Sequence, residues 1–214
     1  MKRFLIILCL VVFFFFFKAK NVKENVIEAV AECKENVNIK VPDVKYKLVN
    51  SYVSQKIDEY LKEFRENITG TDIDDECDFN VEYNSFEYKN FVSFVFNVNY
   101  FTKCAHPAYD IFTLCYDKDN NKIVTINDLA RKNKDLLEKL SKNTREILMK
   151  DKRIISLDML FYGTEANERC FSKFAFSKDG FIVFFTVYEV APYSQGEFEV
   201  IIPYSKLNLN LQNI

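Results

Sequence analysis

Tryptophan is absent from this sequence, histidine occurs once, and glycine and proline occur four times each. Each scarcity excludes something. With His106 alone, a multi-histidine metal centre is ruled out, and any Ser-His or Cys-His mechanism has to run through that residue. So few glycines and prolines leave no Pro/Gly/Ser-rich linker to split the chain, and no long internal repeat stands out. There is no phosphate-cradling glycine motif, no nucleophile elbow and no paired-cysteine metal spacing. Charge of one sign is also missing: 29 basic against 31 acidic residues give a formal −2. Lys2, Arg3, Lys18 and Lys20 face no acid within residues 1–20, and without those four charges the formal value becomes −6. Such a body has no electrostatic footprint for nucleic acid. It suits a solvated acidic surface, or a basic partner.

What is present is a globular composition, 49% hydrophobic and 28% charged, enough for a packed core and unlike disorder. Aromatic residues reach 16%, as 22 Phe and 12 Tyr, in a chain also crowded with Lys, Asn and Ile. The length of 214 residues fits one domain, or two half-units sharing a core, behind a targeting segment. Residues 1–20 read as that segment: Lys2-Arg3, then an apolar run from Phe4 to Phe17 that contains Cys9. The run suits a secretory signal and is short of the roughly 20 residues of a membrane span. Ala19 between Lys18 and Lys20 is a poor cleavage site, so the segment is either removed or kept as an anchor to the membrane.

Downstream, residues 21–40 are expected to form a helical stalk through Val22, Val26, Ile27, Val30 and Ala31. Residues 41–122 are expected to form an N-terminal half. In it, Ile39 to Val49 reads as an edge strand. Val53, Ile57, Tyr60, Leu61, Phe64 and Ile68 mark a helix from Ser51 to Ile68, stopped at Gly70. An acidic turn at Thr71 to Asp75 follows, then three alternating strands around Phe79–Tyr83, Phe94–Phe101 and Tyr109–Tyr116, an antiparallel meander. Residues 123–207 form the C-terminal half: a helical region capped by Asn127-Asp128 and broken near Lys132, a loop point at Gly163, and hairpins. The fold class is therefore α+β, with mostly antiparallel sheets packed on two main helices.

The site candidates lie at two turns. Phe181 to Val190 and Glu197 to Pro203 read as strands around Pro192 and Gly196. Pro192 fixes its own φ, and Gly196 offers the left-handed conformation closed to other residues. Tyr188, Glu189, Pro192, Tyr193 and Gly196 are the candidate binding residues there, with Glu189 an acid or ligand group or simply outward-facing. The other turn is Cys104-Ala105-His106 before Pro107, where sulfur and imidazole offer a Cys-His nucleophile or, with Cys115, part of a zinc site; the competing reading is a plain turn between strands. Asp72, Asp74, Asp75, Glu76 and Asp78 lack the spacing of a calcium loop and read as a solvated turn. No metal site and no cofactor is expected. Cys104 with Cys115 is the first disulfide choice among five cysteines of the exported body.

These two turns also carry a resemblance. Tyr188-Glu189-Val190-Ala191-Pro192-Tyr193-Ser194-Gln195-Gly196, with the following strand and Tyr204-Ser205-Lys206-Leu207, resembles the C-terminal signature of a bacterial extracytoplasmic domain family. That family is found in the anti-sigma factor RsiV and ahead of the deacetylase domain of PdaC. Ala105-His106 match its glycine-alanine-histidine turn, with Cys104 in place of the glycine, and Thr125-Ile126-Asn127-Asp128-Leu129 resembles the entry to its central helix. The likeness runs from about Val44 to Leu207. It implies a non-catalytic envelope binding module, exported and periplasmic or membrane-anchored, whose partner is peptidoglycan or a lysozyme-like protein. The alternative is a small envelope hydrolase using His106 with Cys104 or Glu189, and a third reading is a membrane-tethered scaffold without a ligand.

Overall fold

The computed structural model describes residues 33–68 and 76–211. The signal or anchor segment, most of the stalk, Gly70 and the acidic turn at 71–75 lie outside them. Within them the order is β1 (Lys34–Ile39), α1 (Lys47–Ile68), β2 (Glu76–Tyr88), β3 (Phe91–Phe101), β4 (Ala108–Asp117), β5 (Lys122–Val124), α2 (Ile126–Lys132), α3 (Leu136–Leu148), α4 (Leu157–Gly163), β6 (Phe174–Phe176), β7 (Phe181–Phe185), a 3-10 turn (Tyr193–Gln195), β8 (Phe198–Ile202) and α5 (Tyr204–Leu207). The fold is α+β. Strands β1 to β5 form one sheet in sequence order and β6 to β8 a second; every pairing is antiparallel except β1 with β2.

Period-two alternation in β3 and β4 decides the layering. Val92, Phe94, Phe96 and Val98 point one way with Phe112, Leu114 and Tyr116, and pack beneath Val49, Val53, Ile57, Phe64 and Ile68 of α1. Those α1 residues recur at helical spacing with no glycine or proline among them, so one stripe is buried and the rest solvated. Val95 and Ile111 point the other way, onto Ala175, Ile182 and Phe184 of the small sheet. Strand β7 is buried on both faces: Phe181, Val183 and Phe185 turn outward to a third core built with Leu129, Leu136, Leu140 and Leu160. Each fully buried phenylalanine here stabilises the fold by about 1.5–3 kcal/mol.

The two sheets are also stitched by polar contacts. Strand β6 has β7 on one side only; on its other side the Phe174 and Phe176 N–H groups donate to Thr113 Oγ1 (3.1 Å) and Ser93 Oγ (3.0 Å), and Cys115 Sγ donates to the Phe174 carbonyl (3.3 Å). Side chains of the large sheet thus satisfy an edge that would otherwise leave buried backbone groups unpaired.

Several expectations are corrected. The last residues of the expected stalk, Lys34–Ile39, are a strand, paired in parallel with Glu76–Val81. Ile39 to Val49 is not an edge strand: after Ile39 the chain is irregular and then enters α1, with Asn50 closing the bend through its side-chain bond to the Val44 carbonyl (2.9 Å). Thr125, two residues before the expected cap, is the N-cap of α2; it accepts from the Asp128 N–H while Asp128 accepts back from the Thr125 N–H (3.0 Å), a capping box. The strand expected to reach Val190 ends at Phe185. Cys104 and Cys115 do not pair. Cys33 pairs with Cys77, whereas Cys115 lies inside the sheet interface, seven positions into β4 from the turn that holds Cys104, roughly 20 Å along an extended strand.

Candidate binding surface at the loop between the last two strands

The loop from Thr186 to Glu197 is shaped by its own side chains. Glu189 folds back so that its Oε2 accepts the Thr186 N–H (2.7 Å), which ends β7, and Tyr188 takes a left-handed φ of 69° to allow the reversal. Pro192, at φ −59°, leads into the 3-10 turn, and Gly196, at φ 72°, ends it as a glycine must. Arg153 holds the far end: its Nη1 donates to the Glu197 carbonyl (2.9 Å) and its guanidinium lies 4.0 Å over the Phe198 ring.

One lysine ties this loop to both sheets. Lys173 Nζ donates to Glu189 Oε1 (3.1 Å), Asp110 Oδ1 (3.0 Å) and Thr186 Oγ1 (3.3 Å). Asp110 in turn accepts the Tyr60 hydroxyl of α1 at 2.5 Å. Burial first, and then this bond to a carboxylate, push the Tyr60 phenol far above its ordinary range. Glu189 therefore does not simply face outward; it is a structural tie. Glu197 is half-buried beside the same network, and burial, then Asp110, raise its carboxyl above the usual range, with Lys173 opposing.

The two turns singled out in the sequence meet here. The Tyr193 hydroxyl donates to the Pro107 carbonyl (2.9 Å), and His106 Nδ1 lies 3.0 Å from the same oxygen. The His106 and Tyr193 rings stack at 4.1 Å; Tyr188 and Tyr109 stand 5.7 and 6.1 Å from Tyr193. Tyr188 is 57% exposed and Tyr109 41%, so a shelf of four rings faces solvent, joined through the Tyr188-Glu189 and Tyr109-Asp110 backbone to the Lys173 network. Of the expected residues, His106, Tyr188 and Tyr193 form the shelf and Glu189 its support. Pro192 and Gly196 shape the loop, and Ala105 is exposed at the rim. Tyr109, Asp110, Lys173 and Arg153 were not expected; the signal for Tyr109 and Asp110 was their place directly after the His106 turn, while nothing local marks Lys173 or Arg153.

Among the described hydrogen bonds none joins His106 to Cys104 or Glu189. Cys104 Sγ pairs with Thr102 Oγ1 (3.3 Å). The left-handed residue of that turn is Lys103, at φ 61°, so cysteine in place of glycine at 104 carries no backbone strain. Cys115, buried and bonded to Ser93, has its thiol pushed up to about 12 by burial. Among the described residues no group of three or more His, Cys, Asp or Glu is arranged to hold a metal ion, and no helix is long and apolar enough to cross a membrane.

Residues 127–205, which span α2 to the start of α5 and include the loop, match the family described as protein of unknown function (DUF3298). The chain carries a DUF3298 domain. Over 169 residues it is 31% identical to the peptidoglycan-N-acetylmuramic acid deacetylase PdaC of Bacillus subtilis; the match covers 73% of this chain and 36% of that protein, so the chain spans about a third of its length. Two crystal structures of DUF3298 family proteins share the fold. One, from Pseudomonas aeruginosa, has a TM-score of 0.62 at 18% identity, covering 83% of this chain and 86% of the other. The second, from Bacteroides fragilis, has a TM-score of 0.53 at 24% identity, covering 75% and 69%. The Cys33–Cys77 disulfide fits an oxidising, extracytoplasmic compartment.

Proposed function

We propose that this chain is an exported, non-catalytic envelope module that binds the glycan of peptidoglycan on the shelf formed by His106, Tyr109, Tyr188 and Tyr193. The shelf carries the proposal: exposed, mutually packed rings offer flat apolar faces to sugar C–H groups, and the neighbouring carboxylates accept from sugar hydroxyls. The shelf is preorganised by the Pro107 and Lys173 ties, so little ordering cost falls on binding. The named substrate of the Bacillus subtilis relative supports the same partner class. A lysozyme-like protein is the second reading, favoured by the formal −6 of the chain beyond residue 20, which suits a basic partner. The module sits outside the cytoplasm, with residues 1–20 as its signal or membrane anchor.

Calorimetric titration of the purified chain with soluble peptidoglycan fragments, and separately with hen lysozyme, tests this at physiological ionic strength, where screening over about 8 Å removes loose attraction. Saturable binding of the fragments, lost in Tyr193→Ala, is expected. Saturable binding of lysozyme alone selects the second reading, and no heat with either overturns both.

A further inference from the structure

Half of the exposed large apolar side chains among the described residues fall between Ile147 and Tyr162. Met149 is 51% exposed, Ile155 65%, Leu157 58%, Phe161 41% and Tyr162 62%. They occupy one end of the helical layer, where α3 runs out and α4 begins. Arg145 links the two helices: it bonds the Phe161 carbonyl (3.0 Å) and its guanidinium lies 4.8 Å over the Phe161 ring. Arg169 lies 4.9 Å over the Tyr162 ring. Between residues 142 and 162 the chain places Lys142, Arg145, Lys150, Lys152 and Arg153 against Glu146, Asp151 and Asp158, and the three lysines are exposed. A locally basic, apolar surface therefore interrupts an acidic body. Apolar and aromatic side chains ringed by lysine and arginine match a lipid interface, where rings enter the acyl boundary and cations meet headgroup phosphates.

We propose that this α3–α4 end is a peripheral membrane-docking surface, which seats Ile155, Leu157, Phe161 and Tyr162 into an anionic bilayer surface. The occupant follows from charge: net positive at this end and net negative elsewhere, the chain orients this face toward anionic phosphates and its remainder away from them. The surface is separate in its residues from the tyrosine shelf but adjoins it, since Gly163 at the end of α4 lies against the Glu189 backbone. Docking would hold the shelf beside the membrane.

Because the chain has no tryptophan, Phe161→Trp creates a single local reporter whose signal is independent of residues 1–20. With the full chain and phosphatidylglycerol-containing vesicles, its emission is expected to shift to the blue and to be quenched by brominated acyl chains. Lys150→Gln and Lys152→Gln are each expected to lower vesicle partitioning about five-fold, and Tyr188→Trp, on the shelf, is expected to stay unquenched. The proposal is overturned if the Phe161→Trp emission does not move on anionic vesicles, or responds equally to pure phosphatidylcholine. A blue shift that follows protein concentration without lipid also overturns it, by assigning the surface to a second copy of the chain. None of these outcomes bears on the calorimetric titration.

Discussion

Lys173 stands between two carboxylates, and its removal shows what single residues do here. Lys173→Met would leave Asp110 and Glu189 facing one another across a partly buried gap, each having lost a charged donor. A loss of about 1–2 kcal/mol in denaturant unfolding is expected, together with weakened ligand binding, because the loop loses its anchor to β4. Glu197 acts in the opposite sense. Its carboxyl is held above the ordinary range by burial and then by Asp110, so its folded pKa exceeds its unfolded one. Its contribution favours the fold at acid pH and is lost as pH rises through the folded value. Glu197→Gln should therefore stabilise the protein at neutral pH and change little at low pH, which paired thermal melts would reveal. At Gly163, any Cβ would run into the Glu189 carbonyl oxygen. Gly163→Ala is expected to cost about 1–3 kcal/mol and to broaden the NMR signals of residues 186–191 first.

At the scale of elements, the β4–β5 hairpin depends on Asp117. Burial disfavours its charge, but the side-chain and backbone N–H groups of Asn120, the Asn90 amide and the Asp119 N–H outweigh that and hold its carboxyl below the usual range. The stabilisation is present above the unfolded value near 4 and disappears as pH falls through the lower folded value. Unfolding midpoints should drop below about pH 4, and Asp117→Asn should flatten that limb. The same elements show what the sequence could reveal. Helix α1 was legible because Val53, Ile57, Phe64 and Ile68 recur at helical spacing, and β3 because Phe94, Phe96 and Val98 alternate with Val95 and Asn97. Strand β1 was not, because Lys34, Asn36, Val37 and Asn38 are exposed and only Glu35 and Ile39 are half-buried, so it has no alternating apolar face to encode. Its partner lies some forty residues on, joined by Asn36–Asp78 and Asn38–Asn80 side-chain bonds. The loop ahead of β8 was legible from Pro192, Gly196 and the tyrosines, since turn chemistry is local. Its support was not: Lys173 meets Asp110 across 63 positions, and no local pattern records such a meeting.

For the whole molecule, the Cys33–Cys77 bond closes a loop of 44 residues around β1 and α1. Reduction, or Cys33→Ala, is expected to cost about 2–4 kcal/mol. In hydrogen exchange β1 should lose protection first, because it has β2 alone as a neighbour, while β3, β4 and β7 hold theirs. The placement of that bond has a mechanical consequence. Cys33 stands directly ahead of β1, and Cys77 near the start of β2, which pairs with β3 from the next residue, Asp78, to its end at Tyr88. A pull on the chain ahead of residue 33 passes through the sulfurs into β2 and leaves the weak strand out of the load path. Tension applied from that end would be resisted by the shear of the long β2–β3 ladder, and would reach the tyrosine loop only after the large sheet had yielded.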